Sequence, residues 1–412
     1  MKKLVALGLA AAVAVAGLGA FAGCTGGGDD DTITVGFIAL HDDNSTYDKN
    51  FLDAIREACE NKNIPSENLV IRTGIPEDQT CYDTAADLVD QGCDVIFADS
   101  FGHEDFVLRA AREFPEVQFC HATGTQAHTA GVSNFHNAFA SIYEGRYLAG
   151  VAAGMKLVEM YEAGELESNN YDEQGNIKIG YVGAYTYAEV ISGYTSFYLG
   201  AKSVVDEEID GHSLVMDVRF TGSWYDESAE SQAATTLIQG GAALISQHAD
   251  SMGAPSACEA AGVPNVSYNG STAASCPNTF IVSSRINWVP YFEYMIDCVM
   301  NDEAIATDWT GTLDNEAVVL TELGTAAAAG TQEKIDEVQA QLEAGTLSVF
   351  DCSKFTVNGQ TLTSYMADVD TDAGFTGDTE AIRDGVFQES VHRSAPYFDL
   401  RIDGINLLNS AM

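Results

Sequence analysis

The chain has 412 residues, with 61 acidic against 19 basic side chains and a net charge of −42. Such a surface repels nucleic acid and anionic lipid headgroups, so neither is expected as a partner. Hydrophobic residues still make up 46% of the chain, which allows a large buried core rather than disorder, and the length fits two domains.

Residues 1–23 read as a lipoprotein signal peptide. Lys2 and Lys3 form a basic start, Leu4 to Phe21 is an apolar run, and Ala22 and Gly23 precede Cys24. Cleavage before Cys24 would free that thiol for diacylation, and two acyl chains suffice for stable anchoring. Residues 24–31 then serve as anchor and glycine-acidic tether. No later apolar run reaches the ~20 residues that cross a bilayer, so an extracytoplasmic protein held to the cell membrane through lipidated Cys24 is expected.

From Thr32 strands and helices alternate. Thr32–Leu40, Leu69–Thr73, Asp94–Asp99 and Val117–His121 read as buried strands, with helices at Asn50–Asn61, Thr80–Gln91 and Glu104–Phe114 between them. A helix over Glu144–Val158 precedes a polar insertion, Glu159–Asn176. The alternation restarts with strands at Ile177–Ala184, Leu214–Phe220, Ala243–His248 and Val263–Tyr268, separated by helices at Glu189–Val205, Glu227–Gln239 and Met252–Ala261. The pattern predicts an α/β fold with two doubly wound parallel-sheet lobes joined by a hinge. The chain is expected to pass back at Phe280–Trp288. The first lobe takes residues 32–150 plus about 286–305, and the second about 151–285 plus about 306–349. Residues 350–412 form an extension with no predicted place.

Eight cysteines follow Cys24, an even number that favours disulfides in an exported chain. Cys258–Cys276 is the first expected bridge and Cys298–Cys352 the second, with buried free thiols as the alternative. The glycines of GVAAGMK (150–156) lie within a predicted helix and fit close helix packing.

In open α/β sheets, ligands bind beyond the carboxyl ends of the strands. Those ends carry Ser45, Tyr47 and Asp48, then Phe101, then Tyr185 and Tyr187, then Trp224, and finally Asp250 and Asn269. Aromatics are plentiful there and Lys or Arg nearly absent, which disfavours phosphate or carboxylate ligands. A small, neutral, planar, nitrogen-rich ligand is expected. Tyr47, Phe101 and Trp224 would stack on it, Tyr185 and Tyr187 would form the rim, and Asp250 and Asn269 would read its edge.

The segments DVIFADSFGHEDFVLRAAREFPEVQFCHATG, IYEGRYLAGVAAGMK, IGYVGAYTYAEVISGYTSFYLGAKSV and GGAALISQHADS resemble the basic membrane protein (BMP/PnrA/Med-like) family of solute-binding lipoproteins, from about Ile33 to Trp288. The resemblance implies a periplasmic-binding-protein type I fold and a purine base or nucleoside as ligand. It also implies ABC permease and ATPase subunits as partners. By the same resemblance, Tyr47 with Asp48, the Ser100–Gly102 turn, Tyr185–Glu189, Ser223–Asp226, Gln247–Ser251 and Tyr268–Asn269 correspond to the family's ligand-site segments. No cofactor, no metal and a monomer are expected. A ligand sensor, or a surface interaction lipoprotein, remains the alternative.

Enzyme signatures are weak. His41, Asp42 and Asp43 share one acidic loop, and the chain has no H-E-x-x-H, G-x-S-x-G or G-x-x-x-x-G-K-[ST] motif. Cys120-His121 falls within a predicted strand. The expectation is a binding protein, not an enzyme.

Overall fold

The computed structural model describes residues 32–369 and 377–411. The expected leader, the lipidated Cys24 and the tether lie outside those residues. Among the described residues, no helix is long and apolar enough to cross a membrane.

Two sheets organise the chain. The first half supplies β1 (Val35–Ile38), α1 (Thr46–Asn61), β2 (Leu69–Arg72), α2 (Gln79–Asp90), β3 (Val95–Ala98), α3 (Glu104–Glu113), β4 (Gln118–Ala122), α4 (Ala127–Ala130) and β5 (Phe135–Ala140). The second supplies α5 (Ile142–Glu162), β6 (Ile177–Gly183), α6 (Ala188–Glu208), β7 (Leu214–Phe220), α7 (Glu227–Gln239), β8 (Ile245–His248), α8 (Gly253–Ala261), β9 (Asn265–Tyr268) and β10 (Phe280–Ile286). β1 and β3 are buried at every position, as expected for parallel strands covered on both faces.

After β10 the chain recrosses. Helix α9 (Val289–Met300) packs on α1, and β11 (Asp308–Gly311) pairs in parallel with β5 at the edge of the first sheet. The expected return to the second lobe at about 306 therefore comes later. It occurs at β12 (Val318–Leu320), which runs antiparallel to β10 and is followed by α10 (Thr331–Glu343).

The two sheets repeat one topology. The first has the order β11-β5-β4-β3-β1-β2; the second continues β12-β10-β9-β8-β6-β7 and adds a last strand, β17 (Ile405–Leu407). Chain order therefore reverses between β1 and β3 and again between β6 and β8, the two places where this architecture opens a crevice. An aromatic cluster fills the first lobe, with Trp288 stacked on Phe51 at 4.3 Å and Phe97 edge-on to Phe292 at 4.9 Å.

The extension beyond α10 is ordered around its own aromatic core, in which Phe350 stacks on Phe398 at 4.2 Å and Phe387 meets Phe398 edge-on. Two short antiparallel strand pairs lie within it: β13 (Met366–Ala367) with β14 (Thr379–Glu380), and β15 (Ile382–Arg383) with β16 (Val386–Phe387). It touches both sheets. Strand β17 lies parallel to β7, and the Ser394 amide donates to Asp308 Oδ1 of β11 at 3.1 Å.

The expected bridges Cys258–Cys276 and Cys298–Cys352 do not form. All eight cysteines after Cys24 are free and buried. Burial pushes the Cys258 thiol up to about 12, and it accepts a weak hydrogen bond from Asn265 Nδ2 at 3.9 Å. Cys298 and Cys352 donate to the backbone carbonyls of Ala304 and Phe350. These cysteines act as small apolar side chains filling helix and loop contacts.

Burial also raises several carboxyls. Glu144, Glu230 and Glu389 are each pushed up to about 7 from an ordinary 4.5. An acid whose pKa is higher folded than unfolded keeps its proton in the native state while the unfolded chain releases it. The stability it contributes is present below about 4.5 and is lost as pH rises to about 7. Glu389→Gln, which keeps the shape without the titration, should therefore narrow the fall in urea midpoint between pH 5 and pH 8. An unchanged difference would show that Glu389 does not titrate in this window.

Candidate functional site

The carboxyl ends of both sheets face one cleft. Its walls include Tyr47, Asp48, Ser100, Phe101 and Thr123 from the first lobe, and Glu189, Trp224, His248, Asp250 and Tyr268 from the second. The lobes touch across it. Thr46 donates through its backbone N–H and its hydroxyl to the Asp250 carbonyl, both at 3.1 Å, and the rings of Phe101 and Tyr187 lie 5.4 Å apart. The enclosed space is about 20 Å³, room for about one water. A planar ring enters only after the lobes part or the side chains turn.

The loop after β1 is fixed by Asp48. Ser45 caps α1 by accepting from the Asp48 amide at 3.2 Å and donates its own hydroxyl to Asp48 Oδ2 at 2.6 Å. The His41 amide donates to Asp48 Oδ1 at 2.7 Å. Burial alone would raise this carboxyl, but the His41 and Ser45 hydrogen bonds more than offset it, and its pKa is lowered. Asp48 is thus a charged group at the cleft wall whose oxygens already serve the loop.

Two other carboxyls behave in the opposite way. Burial, reinforced by the charge of Asp48, raises Asp99 well above the usual carboxylate range, and Asp99 Oδ2 has no hydrogen-bond partner. Burial, then the charges of Asp48, Glu230 and Glu189, likewise raises Asp250. Asp250 Oδ1 has Asn269 Nδ2 at the long distance of 3.5 Å. A carboxyl held protonated can donate as well as accept, which suits a ligand edge carrying both kinds of group.

The sequence-predicted residues divide by position. Tyr47, Asp48, Phe101, Trp224 and Asp250 line the cleft. Tyr47 also donates to the Asp99 carbonyl at 2.7 Å. Tyr185 packs edge-on behind Trp224 at 5.1 Å, and Tyr187 lines a larger neighbouring chamber. Ser45 faces a surface hollow beside His41. Asn269, in the left-handed region at φ 65°, stands behind Asp250 and faces a different surface hollow.

Four wall residues were not among the expected ligand contacts, although Glu189, His248 and Tyr268 fall in the segments the resemblance marks and Thr123 follows β4. Glu189 pairs with His248 at 3.3 Å, and burial lowers the His248 pKa. Tyr268 is buried with an unpartnered hydroxyl. Thr123 is held at φ 63°, a strained backbone for a β-branched residue and a frequent mark of functional sites. Behind the wall, fully buried Arg146 donates to the Gln247 carbonyl at 2.9 Å and lies over the Tyr268 ring at 4.4 Å. The strand-end rule reaches Thr123 and His248, and the resemblance covers Tyr268, which closes β9. Arg146, inside a helix, carries no such signal.

Comparison with known proteins assigns this architecture. A provisionally described ABC transporter glucose-binding protein of Haloferax volcanii is 28% identical over 262 residues, 64% of this chain and 60% of that protein. A purine-binding protein of Brucella abortus is 29% identical over 263 residues, 63% of this chain and 66% of its own length. The chain thus spans under two thirds of each of these relatives. An ABC transporter solute-binding protein from Conexibacter woesei shares the fold with a TM-score of 0.60 at 20% identity, covering 77% of this chain and 98% of that one. The family of PnrA-like ABC transporter substrate-binding proteins matches residues 33–347, and the chain belongs to that family.

Proposed function

We propose that this chain is an extracytoplasmic solute-binding protein, anchored through Cys24, that captures a purine base or nucleoside for an ABC importer. The observation that carries the reading is the cleft itself. Stacking surfaces from both lobes meet buried carboxyls at the paired switch points, and no Lys or Arg lines the space. Such a site suits an uncharged ring with N–H groups at its edge and disfavours anions. The purine-binding relative supports the same ligand class. Binding, with no chemical conversion, would stabilise the closed pair of lobes through its higher affinity for that state, and the closed form would be what the permease receives.

The glucose-binding relative favours a second reading, a hexose ligand, because carboxylates also accept sugar hydroxyls. Thermal unfolding with adenine, guanine, their nucleosides and glucose separates the two. A ligand at a hundred times its dissociation constant adds about 2.7 kcal/mol of stability. A rise in melting temperature with purines and none with glucose supports the proposal, and the reverse pattern replaces the purine with a sugar.

A further inference from the structure

Beside the central cleft lies a second chamber of about 540 Å³. The two spaces share Phe101, Thr123 and Glu189 as common wall. Both lobes contribute to the chamber, the first through Asp105 and Gln126 and the second through Thr186 and Tyr187. Its remaining wall comes from the C-terminal extension: Asp368, Arg393, Ala395, Pro396, Tyr397 and Asp399. Those residues lie beyond 347, where the family match ends.

The chamber's chemistry is lopsided. Acceptors dominate, because Asp105, Glu189 and Asp399 each have one carboxylate oxygen engaged by a protein donor, Gln126, His248 and Tyr365 respectively, and a carboxylate offers about four acceptor sites. The one cation in the wall is already committed. Arg393 donates from Nε, Nη1 and Nη2 to the carbonyls of Ala395, Val369 and Pro396 at 3.1, 3.3 and 3.2 Å. It forms no open fork for a phosphate. Phe101, Tyr187 and Tyr397 add ring surface. Surplus acceptors beside aromatic faces suit a group with many hydroxyl donors and a flat C–H face.

We infer that the C-terminal extension completes the ligand site by walling a polyol subsite next to the ring-binding cleft. The inference rests on the purine reading for the ring, but the subsite can be tested apart from it. The polyol could be the ribose of a nucleoside or a free hexose, and the ligand series below separates them.

Dissociation constants of adenine, adenosine, AMP and glucose would be measured by calorimetry for the parent protein and for Asp105→Asn/Asp399→Asn, two exposed positions whose change leaves the core intact. A second variant, Ala188→Phe, fills the chamber from the start of α6, where Ala188 lines it. Adenosine should bind the parent at least tenfold tighter than adenine, and AMP weaker than adenosine. Both variants should lose that tenfold advantage while adenine affinity stays constant. Glucose binding that falls in both variants, with no adenine binding to the parent, would keep the subsite and discard the purine. Adenine and adenosine binding equally to all three proteins would overturn the subsite and leave the purine reading standing. No binding of any of the four would overturn both.

Discussion

Asp250→Ala is expected to weaken purine binding by roughly one to two orders of magnitude with little loss of fold stability. The side chain is buried beyond the end of β8, and its one side-chain partner is Asn269 at 3.5 Å, so few native contacts depend on it. The contacts that close the lobes on this loop use its backbone, whose carbonyl receives Thr46 and whose amide donates to the Trp224 carbonyl at 2.9 Å. Alanine keeps both. What alanine removes is the partner for a ring N–H, and leaving a buried donor unpaired costs about 1–3 kcal/mol, about tenfold in affinity for each 1.4 kcal/mol. Asp250→Asn is the informative companion, because it keeps the shape and one acceptor and should lose less. Calorimetric titration of the two variants beside the parent checks this. Parent-like affinity in Asp250→Ala would remove Asp250 from the ligand contacts, whatever the ligand is.

The alternation of strands and helices was readable because most strands of the two sheets are short, largely apolar runs and the surface helices are amphipathic. β5 escaped notice for a physical reason. His136 and Asn137 interrupt its apolar run, yet both are buried because they have partners: His136 lies against the Ala306 carbonyl and Gln118, and Asn137 bonds the Ala127 amide and Glu104. β11 and β12 are three or four residues long and follow a crossing between sheets, which local pattern does not encode.

The cleft was half legible. Residues directly after strands could be picked out by position, as Tyr47, Phe101, Trp224 and Asp250 were. Glu189 pairs with a histidine 59 residues away, and no spacing announces such a pair. The cysteines misled because an even count fits buried thiols as well as bridges. The extension gave little signal because an aromatic cluster, not periodic strands or helices, holds it together.

The glycines of α5 were legible, and they carry the other large expected effect. A Cβ on Gly150 would stand 2.1 Å from the Phe197 carbonyl oxygen of α6, and a Cβ on Gly200 would stand 2.1 Å from the Tyr147 carbonyl oxygen of α5. Each glycine thus lets the other helix's backbone come into direct contact, and backbone cannot turn aside as a side chain can. On an isolated helix, Gly→Ala would stabilise by about 1 kcal/mol. Here the helices must separate, and overpacking of this kind costs typically about 1–3 kcal/mol, occasionally more, so Gly150→Ala should lower the urea midpoint and Gly150→Val should lower it much further. The effect should also reach the ligand. Arg146 sits one turn before Gly150 and holds the Gln247 carbonyl and the Tyr268 ring. On α6, Gly193 leaves the space that His248 fills, since a Cβ there would meet His248 Nδ1 at 2.6 Å. Moving the two helices apart therefore shifts the wall of the cleft, and Gly150→Ala should bind ligand more weakly than the parent at temperatures where both are folded. A urea midpoint equal to or above the parent's would mean that α5 and α6 are not held at this distance in solution.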